Sequence, residues 1–434
     1  CVWNLQAKLC QRRCFLKGPP GTGKSELLVH AAKRVVDRGG RVLFLAPTGS
    51  LVHSYLDRLP DSEDIFVETV HAGLRFARPR DAQRVRCNPP SRLSLYDVIF
   101  LDEVSMLELP VFEELFRVVQ ELPQRPIFVA AGDFAQLEAI DGNDVVRRAC
   151  EGMTSQIELT TVHRSQDEKH LAFVSAIRES QPSRQQIREY FELPVDRFLG
   201  VERTLEQWLD FGMVQQRLHG HPFVWICNTN RGVAKVSRAA LRRLGISMEQ
   251  VESEGYLGDP SVKGSMRILP REGVWLRLTR NLDKPRGFVN GAIGQVVEVF
   301  RFPDIFSVRL ISGTLVMVHP VRFQGATFLP CVYGYAVTVR RTQGLTLFHG
   351  ALYLDGRMYP RPRGHGYVAV SRFRSALGVY HYGPLRRSDW LPTARGSGQQ
   401  VEPSELSSPD WPANPTSPRR RMSAASVRTI AAAG

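Results

Sequence analysis

Short apolar runs alternate with amphipathic segments of helical length in the first part of the chain. The runs, which have the character of buried strands, cover residues 14–17, 41–46, 97–101 and 126–131. Leu27, Leu28, Ala31, Ala32 and Val35 are spaced for one face of a helix that stops at Gly39-Gly40, and a second helix is predicted from about 109 to 119. Buried strands joined by helices are typical of a parallel sheet, so this pattern predicts an α/β domain built from βαβ units.

The pattern changes in the second half of the chain. A strand is predicted at 223–227, followed by an Arg-rich helix at 233–244. From about 263 to 324, short strand-like runs alternate with Gly and Asn turns, which predicts a small β-barrel inserted into an α/β domain. Three further strands are predicted to resume the sheet, at 335–339, 351–354 and 367–370. Beyond residue 384 the chain is rich in Pro, Ser and Arg without periodicity, which is typical of disorder.

Length and charge limit the classes of protein that fit. A chain of 434 residues is longer than a single hydrophobic core usually supports, so at least two domains are expected. The apolar fraction of 43% and the charged fraction of 23% are those of an ordinary globular protein, and no apolar run is long enough to span a bilayer. The net charge of +14 favours a polyanionic partner, of which nucleic acid is the commonest.

The cysteines favour a reducing compartment. Seven of them are scattered along the chain, an odd number that argues against a disulfide framework. Cys10 and Cys14 stand close together, but no second Cys or His pair follows at zinc-site spacing, so two ordinary thiols are favoured over a metal site. Because the sequence does not begin with Met, an N-terminal truncation stays open.

One glycine-rich stretch fits the phosphate-binding pattern G-x-x-x-x-G-K-[ST] at every fixed position. It lies between the first predicted strand and the first helix and reads Gly18-Pro19-Pro20-Gly21-Thr22-Gly23-Lys24-Ser25. Glycines let several backbone N–H groups converge on one phosphate chain, and the helix start adds partial positive charge. We expect Lys24 to reach the β- and γ-phosphates of a nucleotide and the Ser25 hydroxyl to bind Mg²⁺.

Acidic and polar residues follow two later strands. Asp102 and Glu103 come directly after the strand at 97–101, and Gln136 follows the strand at 126–131. Asp102 is predicted to hold Mg²⁺, Glu103 to orient and deprotonate the attacking water, and Gln136 to reach the γ-phosphate or that water. A solvated turn is the alternative for the acidic pair. For Arg164, spacing alone favours a surface charge.

These stretches, taken in order, resemble superfamily 1 DNA helicases, and within them the Pif1 group with its RecD-like relatives. The matching stretches cover nearly the whole chain up to about residue 383: 18–25, 46–49, 101–106, 132–137, 159–164, 229–230, 289–294, 335–347 and 367–372. The form Asp-Glu-Val-Ser-Met at 102–106 favours Pif1 in particular. One departure is Val339-Arg340-Arg341-Thr342-Gln343-Gly344, which keeps positive charge but lacks the imidazole usual in relatives.

The resemblance implies an α/β fold with two RecA-like P-loop domains that contain parallel sheets, a small inserted SH3-like β-barrel and a disordered basic tail. ATP would lie between the two RecA-like domains, and single-stranded DNA across both. The implied boundaries are 1–163 for the first domain with a small insertion at about 72–95, 164–262 and 325–385 for the second, 263–324 for the barrel and 386–434 for the tail.

The resemblance also assigns roles to individual residues. Arg164 and Arg372 become the arginines that neutralise transition-state charge. Gln343 and Gly344 would couple nucleotide state to the grip on DNA. The candidates for contacts with the DNA strand are Thr48, His71, Thr229 and Asn230.

The function implied by the resemblance is an ATP-dependent helicase that moves 5′ to 3′ on single-stranded DNA and unwinds duplexes in genome maintenance, such as repair, recombination, replication or telomere maintenance. We expect a monomer that acts on single-stranded and on forked or structured DNA, in the nucleus or mitochondrion if the source is eukaryotic and in the cytoplasm otherwise. Two alternatives stay open: a RecD-like or mobile-element helicase subunit, and a nucleotide-gated nucleic-acid-binding module without unwinding.

Overall fold

The computed structural model describes residues 12–56, 58–75, 90–122, 126–137, 144–191, 204–262, 264–283, 286–300, 305–323, 325–355 and 363–393. Cys10, residues 76–89 of the predicted small insertion and the predicted tail beyond residue 393 lie outside the described residues. Within these ranges, no helix is both long and apolar enough to cross a membrane.

Six parallel strands form the first sheet, in the order β3-β2-β4-β5-β1-β6. Their bounds are β1 Arg13–Lys17, β2 Val42–Ala46, β3 Ile65–Thr69, β4 Val98–Leu101, β5 Ile127–Gly132 and β6 Ser155–Glu158. Every residue of β2 and β4 is buried. Both faces of the sheet are therefore covered, as a parallel sheet requires.

Helices cover the two faces of this sheet, and together they form what we call the N-terminal lobe. They are α1 Lys24–Val36, α2 Gly49–Leu56, α3 Val70–Gly73, α4 Leu109–Glu121 and α5 Asp144–Glu151. Side chains alternate along each strand, so Phe15 packs in the core cluster beneath α4 and its neighbour Leu16 in the cluster beneath α1.

A second parallel sheet, in the order β15-β7-β16-β17, organises what we call the C-terminal lobe. Its strands are β7 Val224–Cys227, β15 Ala336–Thr338, β16 Gly350–Tyr353 and β17 Val379–His381. The helices of this half of the chain are α6 Glu168–Glu179, α7 Arg184–Phe191, α8 Leu205–His219, α9 Asn230–Arg243, α10 Met248–Glu254 and α11 His365–Val370. Ile226 and Trp225, adjacent in β7, belong to separate core clusters on the two faces.

The insertion is an antiparallel sheet in the order β11-β10-β9-β8-β14, which we call the barrel unit. Its strands are β8 Trp275–Leu278, β9 Ile293–Phe300, β10 Ile305–Leu310, β11 Leu315–Val318 and β14 Cys331–Tyr333, with a separate ribbon of β12 Val321–Phe323 and β13 Ala326–Phe328. The predicted boundary at 324 is wrong, because β14 pairs with β8. Leu241 and Val251 of the preceding helices also pack into the core of this unit.

Residues 367–370 are the end of helix α11 and not the predicted strand. Gly364 precedes the helix in the left-handed region, with φ 74°, and every residue from His365 to Val370 is buried. A short helix buried on all sides shows no amphipathic period, so its apolar run cannot be told from that of a strand.

The first residues assigned to the disordered tail are folded. Residues Arg387–Trp390 form a 3₁₀ helix, and the Trp390 side chain is 1% exposed. Its ring lies 5.4 Å from that of Phe173 and 5.7 Å from that of Phe191, measured between centroids. The prediction of disorder is therefore wrong for residues 386–393, because one large aromatic side chain anchors this segment to the core of the C-terminal lobe.

Candidate functional site

The phosphate-loop sequence turns tightly between β1 and α1, as its mechanism requires. Gly21 and Gly23 adopt φ 82° and 84°, in the left-handed region that favours glycine. A Cβ atom at Gly21 would collide with the Cβ of Arg164. The Gly21 carbonyl accepts hydrogen bonds from the backbone N–H groups of His163 and Arg164, at 2.7 and 3.2 Å. The loop therefore rests directly on the segment that carries Arg164.

Lys24 is the first residue of α1 and is buried. Its Nζ donates hydrogen bonds to the carbonyl oxygens of Gly18, at 2.6 Å, and Pro19, at 3.0 Å. Burial lowers the pKa of Lys24, and the nearby carboxylates of Glu103, Asp133 and Asp102 oppose that change. The ammonium group thus lies inside the loop, bonded to carbonyls whose place the oxygens of a phosphate can take.

Asp102 and Ser25 form an oxygen-rich pair at the mouth of the loop. The Ser25 hydroxyl donates to Asp102 Oδ2 at 2.7 Å, and the Glu103 backbone N–H donates to Oδ1 at 2.9 Å. The Tyr55 hydroxyl, from α2, donates to the same Oδ2. Burial and the Asp102 charge raise the pKa of Tyr55. Tyr55 was not identified from the sequence, because its contact with Asp102 joins residues far apart in the chain.

The donors at this site suit Mg²⁺. A hydroxyl and a carboxylate are the hard oxygen ligands that this ion binds, usually with water and phosphate oxygens completing its shell. Ser25 and Asp102 provide that pair, and their binding of Mg²⁺ stays a prediction. Among the described residues, no group of three or more His, Cys, Asp and Glu side chains could hold a metal ion by itself. A bound ion would therefore depend on phosphate oxygens and water for its remaining ligands.

Glu103 follows Asp102 in the sequence and is also buried. It is one of the non-glycine residues with positive φ, at 50°, so the chain turns sharply between the two acids. Its carboxylate is buried, and Oε2 has no hydrogen-bond partner among the described residues. Burial and the adjacent Asp102 charge raise the pKa of Glu103, while Lys24 and Arg372 act in the opposite direction. A buried acceptor without a donor is a suitable position for a bound water.

Arg372 joins the two lobes at this point. It follows α11 in the C-terminal lobe and is 1% exposed. Its Nη2 donates to Gln136 Oε1 of the N-terminal lobe at 3.1 Å and to Ser371 Oγ at 2.9 Å, and its Nε donates to the Val368 carbonyl at 3.0 Å. Burial lowers the pKa of Arg372, and Glu103 opposes this. The guanidinium group is therefore fixed in the cleft next to the predicted catalytic residues.

Arg164 lies at the same junction, so the interpretation as a free surface charge is wrong. Its Nη1 donates to the Ser371 carbonyl at 2.8 Å. Burial, followed by the charge of Arg372, lowers the pKa of Arg164 to about 9. The charge of Glu103 opposes this change at Arg164, as it does at Arg372. Two guanidinium groups that repel each other in a buried place favour an anionic ligand.

A second interlobe contact centres on Asp133, which sequence reasoning did not single out. Its carboxylate accepts hydrogen bonds from Arg178 Nη2 at 3.1 Å and from the Tyr367 hydroxyl at 2.9 Å. Thr393 Oγ1 adds bonds to the carbonyls of Ala135, at 2.7 Å, and Gln136, at 3.1 Å. Asp133 belongs to the same stretch as Gln136, so an acid after a buried strand was the available signal.

Gln343 and Gly344 lie where the lobes approach each other closely. The Gln343 side chain is buried, and neither its Oε1 nor its Nε2 has a hydrogen-bond partner in the described part of the chain. Gly344 adopts φ 81°, and a Cβ atom there would lie 2.7 Å from Leu51 Cδ2 of α2. This position is compatible with the predicted coupling role, because any change in the cleft alters the space around these residues.

The four residues predicted to contact DNA lie at the starts of helices or on a short helix. Thr48 Oγ1 accepts from the Leu51 backbone N–H at 3.4 Å, and His71 is exposed on α3. Thr229 caps α9: its hydroxyl accepts from the Gly232 N–H at 3.0 Å and donates to Asp355 at 3.1 Å. Asn230 begins α9 and lines a small cavity between the C-terminal lobe and the barrel unit. Their contacts with DNA stay predictions.

Similarity to known sequences agrees with this arrangement. Residues 5–192 match the family described as AAA domain. The chain is 27% identical over 413 residues to human ATP-dependent DNA helicase PIF1, which covers 86% of this chain and 59% of the human protein. It is 26% identical over 414 residues to the Rattus norvegicus protein of the same name, covering 87% and 59%. The chain therefore spans 59% of the length of these relatives.

Solved structures share the fold. The Pif1 helicase from Bacteroides in complex with ADP-AlF3 and single-stranded DNA has a TM-score of 0.63 at 17% identity, covering 90% of this chain and 93% of that one. The Pif1 helicase from Candida albicans has a TM-score of 0.61 at 18% identity, covering 90% and 94%. The predicted α/β fold with two RecA-like domains and an inserted β unit is confirmed.

Proposed function

We propose that the chain is a Pif1-like helicase of superfamily 1, which couples ATP hydrolysis to 5′-to-3′ movement on single-stranded DNA and to duplex unwinding. One observation carries the proposal: Arg372 of the C-terminal lobe donates a hydrogen bond to Gln136 of the N-terminal lobe, beside Glu103 and Lys24. A hydrolytic site completed by both lobes can convert nucleotide state into lobe movement.

The residues divide the chemistry between them. The backbone N–H groups of the glycine-rich loop and Lys24 would hold the phosphates. When bound, Mg²⁺ neutralises phosphate charge, and Ser25 and Asp102 would hold it. Glu103 would orient the attacking water and accept its proton at the carboxylate oxygen that lacks a donor.

The polar side chains at the junction of the two lobes would act on the attacking water and on the transferred phosphoryl group. Gln136 would position the water or the γ-phosphate, and Arg164 and Arg372 would stabilise the charge that develops on the transferred group. Both arginines are already fixed by hydrogen bonds to residues 368–371 or to Gln136. Little reorganisation is then needed at the moment of reaction, which is the condition under which such donors are most effective.

Movement along DNA would follow from opening and closing of the cleft. ATP draws the cationic walls together, and phosphate release lets them part; if each lobe grips the strand, every cycle shifts the grip. Gly344, which lies beside Leu51 of the other lobe, and the preceding Gln343 would transmit the change. The positive net charge of +14 suits a strand held by its phosphates and not read by its bases.

We infer single-stranded and forked DNA as partners, and genome maintenance as the process served. Structures of Pif1 helicases exist with single-stranded DNA and, for two coordinating copies, at forked duplex DNA. The monomeric state and the compartment, nucleus or mitochondrion if the source is eukaryotic and otherwise cytoplasm, stay predictions.

The proposal is tested by measuring ATP hydrolysis with and without single-stranded DNA, together with unwinding of duplexes that carry either a 5′ or a 3′ single-stranded tail. We expect hydrolysis to be stimulated by single-stranded DNA and unwinding to require the 5′ tail. Hydrolysis that is indifferent to DNA would instead support the nucleotide-gated binding module. Unwinding only from a 3′ tail would contradict the proposed direction.

Arg372→Lys should lower kcat about 10- to 100-fold, because lysine keeps the charge but not the planar fork that bonds Gln136, Ser371 and Val368 together. The apparent KM for ATP should change much less, since the interaction is made mainly in the transition state. Steady-state hydrolysis with saturating DNA measures both quantities. Arg374→Lys, two residues along the chain, is the matched control, and an equal loss in both variants would contradict the specific role of Arg372.

A further inference from the structure

The barrel unit contains an arginine in a position that ordinarily holds an apolar residue. Arg277 lies in the middle of β8, between Leu276 and Leu278 of the hydrophobic core, and is 6% exposed. Its Nε has no hydrogen-bond partner, and within the described residues no ion pair involves its guanidinium group. Burial, followed by the charge of Arg341, lowers the pKa of Arg277 to about 9.

Such a residue is unfavourable in the protein alone. A buried cation is normally paired with a carboxylate or bonded to several acceptors, because its removal from water is otherwise uncompensated. Here the largest charge effect on the pKa of Arg277 comes from a second cation, Arg341, which adds repulsion. Both features are explained if an anion occupies the space between them.

A cavity exists at this place. Its volume is about 40 Å³, and its lining includes Arg277, Arg341, Asn230, Ser265 and Thr338. Arg277 forms its buried wall, whereas Arg341 is exposed at the surface. The space corresponds to a few water molecules, which is enough for the oxygens of one phosphate group but not for a nucleobase. The start of α9, at Asn230, adds the partial positive charge of a helix N-terminus.

We propose that Arg277 and Arg341, together with the start of α9, bind one phosphodiester of single-stranded DNA at the junction of the C-terminal lobe and the barrel unit. The proposal rests on the proposed function, because it takes DNA as the source of the phosphate. A chain phosphate is favoured over free phosphate since the site is open on the side of Arg341, where a strand can continue in both directions. The grip of the C-terminal lobe would then include a residue of the barrel unit.

The substitution Arg277→Met distinguishes a role of Arg277 in binding a DNA phosphate from a purely structural role. Methionine is unbranched and apolar and suits the neighbouring core. We expect the variant to bind single-stranded DNA about tenfold more weakly, and the slope of log affinity against log salt to become shallower by about 0.7. At the same time its melting temperature without DNA should rise, because an unpaired buried charge has been removed. A structural arginine would instead lower both the melting temperature and the affinity, and that result would overturn the proposal.

The decisive experiment places a neutral methylphosphonate linkage at successive positions of an oligonucleotide and measures binding without ATP. In the wild-type protein, the neutral linkage at one position should weaken binding about tenfold. This loss of affinity, the penalty, should disappear in Arg277→Met. Arg341→Met, at an exposed residue, should reduce the same penalty and serves if Arg277→Met does not fold. Arg309→Met, which removes an exposed charge from strand β10 of the same sheet, is the matched control and should retain the penalty.

Two results of the linkage experiment would also overturn the assignment. One is that Arg277→Met keeps the full penalty at every linkage. The other result combines two observations: inorganic phosphate, at matched ionic strength, competes with a labelled phosphate probe at Arg277, and no linkage shows a position-specific penalty. Together they would identify a site for a free anion. Failure of the proposed function is visible separately, as absence of DNA-stimulated hydrolysis in the wild-type protein.

Discussion

Lys24→Ala is expected to reduce the turnover of ATP at least about 10³-fold, measured as steady-state hydrolysis with saturating single-stranded DNA. The ammonium group is buried within the loop and bonded to the carbonyls of Gly18 and Pro19, so it is already positioned before nucleotide arrives. Alanine leaves the β- and γ-phosphate charge without its cation in both the ground state and the transition state. Affinity for ATP should fall together with kcat.

The matched control is Lys33→Ala, which removes the same side chain from the last turn of the same helix, α1. Its turnover should stay within about twofold of the wild type, since surface charges contribute little. Far-UV circular dichroism verifies that both variants fold. If Lys24→Ala retained more than a tenth of wild-type turnover, the loop would not be the site of phosphate transfer.

Glu103→Gln should lower the rate of hydrolysis about 10³-fold while leaving ATP bound. The two side chains have nearly the same shape, so the left-handed backbone at Glu103 and the hydrogen bond from its N–H to Asp102 are preserved. What is lost is the carboxylate oxygen that has no donor in the structure and that would accept the proton from water. The variant should therefore accumulate as a complex with ATP and DNA, detectable with a fluorescent nucleotide and in single-turnover hydrolysis.

Glu108→Gln is the control for this substitution, because Glu108 is an exposed glutamate on the same connection, just before α4. It should hydrolyse ATP at the wild-type rate. Undiminished turnover in Glu103→Gln would refute the assignment of Glu103 as the base. Loss of nucleotide binding in that variant would indicate that Glu103 maintains the site and does not act in the chemical step.

The parts of the site that depend on local sequence were predictable. A strand, a tight glycine turn and a helix follow one another within a few residues, so the position of Lys24 and Ser25 could be inferred from spacing alone. Asp102 and Glu103 followed from the end of a buried strand. The same reasoning located strands β1, β2, β4 and β5 of the first sheet and β7, β15 and β16 of the second, because their apolar runs are continuous. It did not locate the edge strands β3, β6 and β17.

The parts that depend on distant contacts were not predictable. Tyr55 reaches Asp102, and Tyr367 reaches Asp133, only after two separate segments have packed together. Helix α11 was predicted as a strand because complete burial removes the amphipathic period that identifies a helix. Position 324 seemed a natural domain boundary, since nothing in the short run 331–333 reveals that it pairs with β8.

The hydrogen bond from Arg372 to Gln136 has a consequence for shortened forms of this protein. A product that ends soon after residue 192 would keep the whole segment that matches the AAA domain family, including the glycine-rich loop and both acids. It would nevertheless lack Arg372. We therefore expect it to bind nucleotide without converting hydrolysis into movement of the lobes. Under the proposed mechanism, we expect a shortened form to be active as a helicase only if it contains both Gln136 and Arg372.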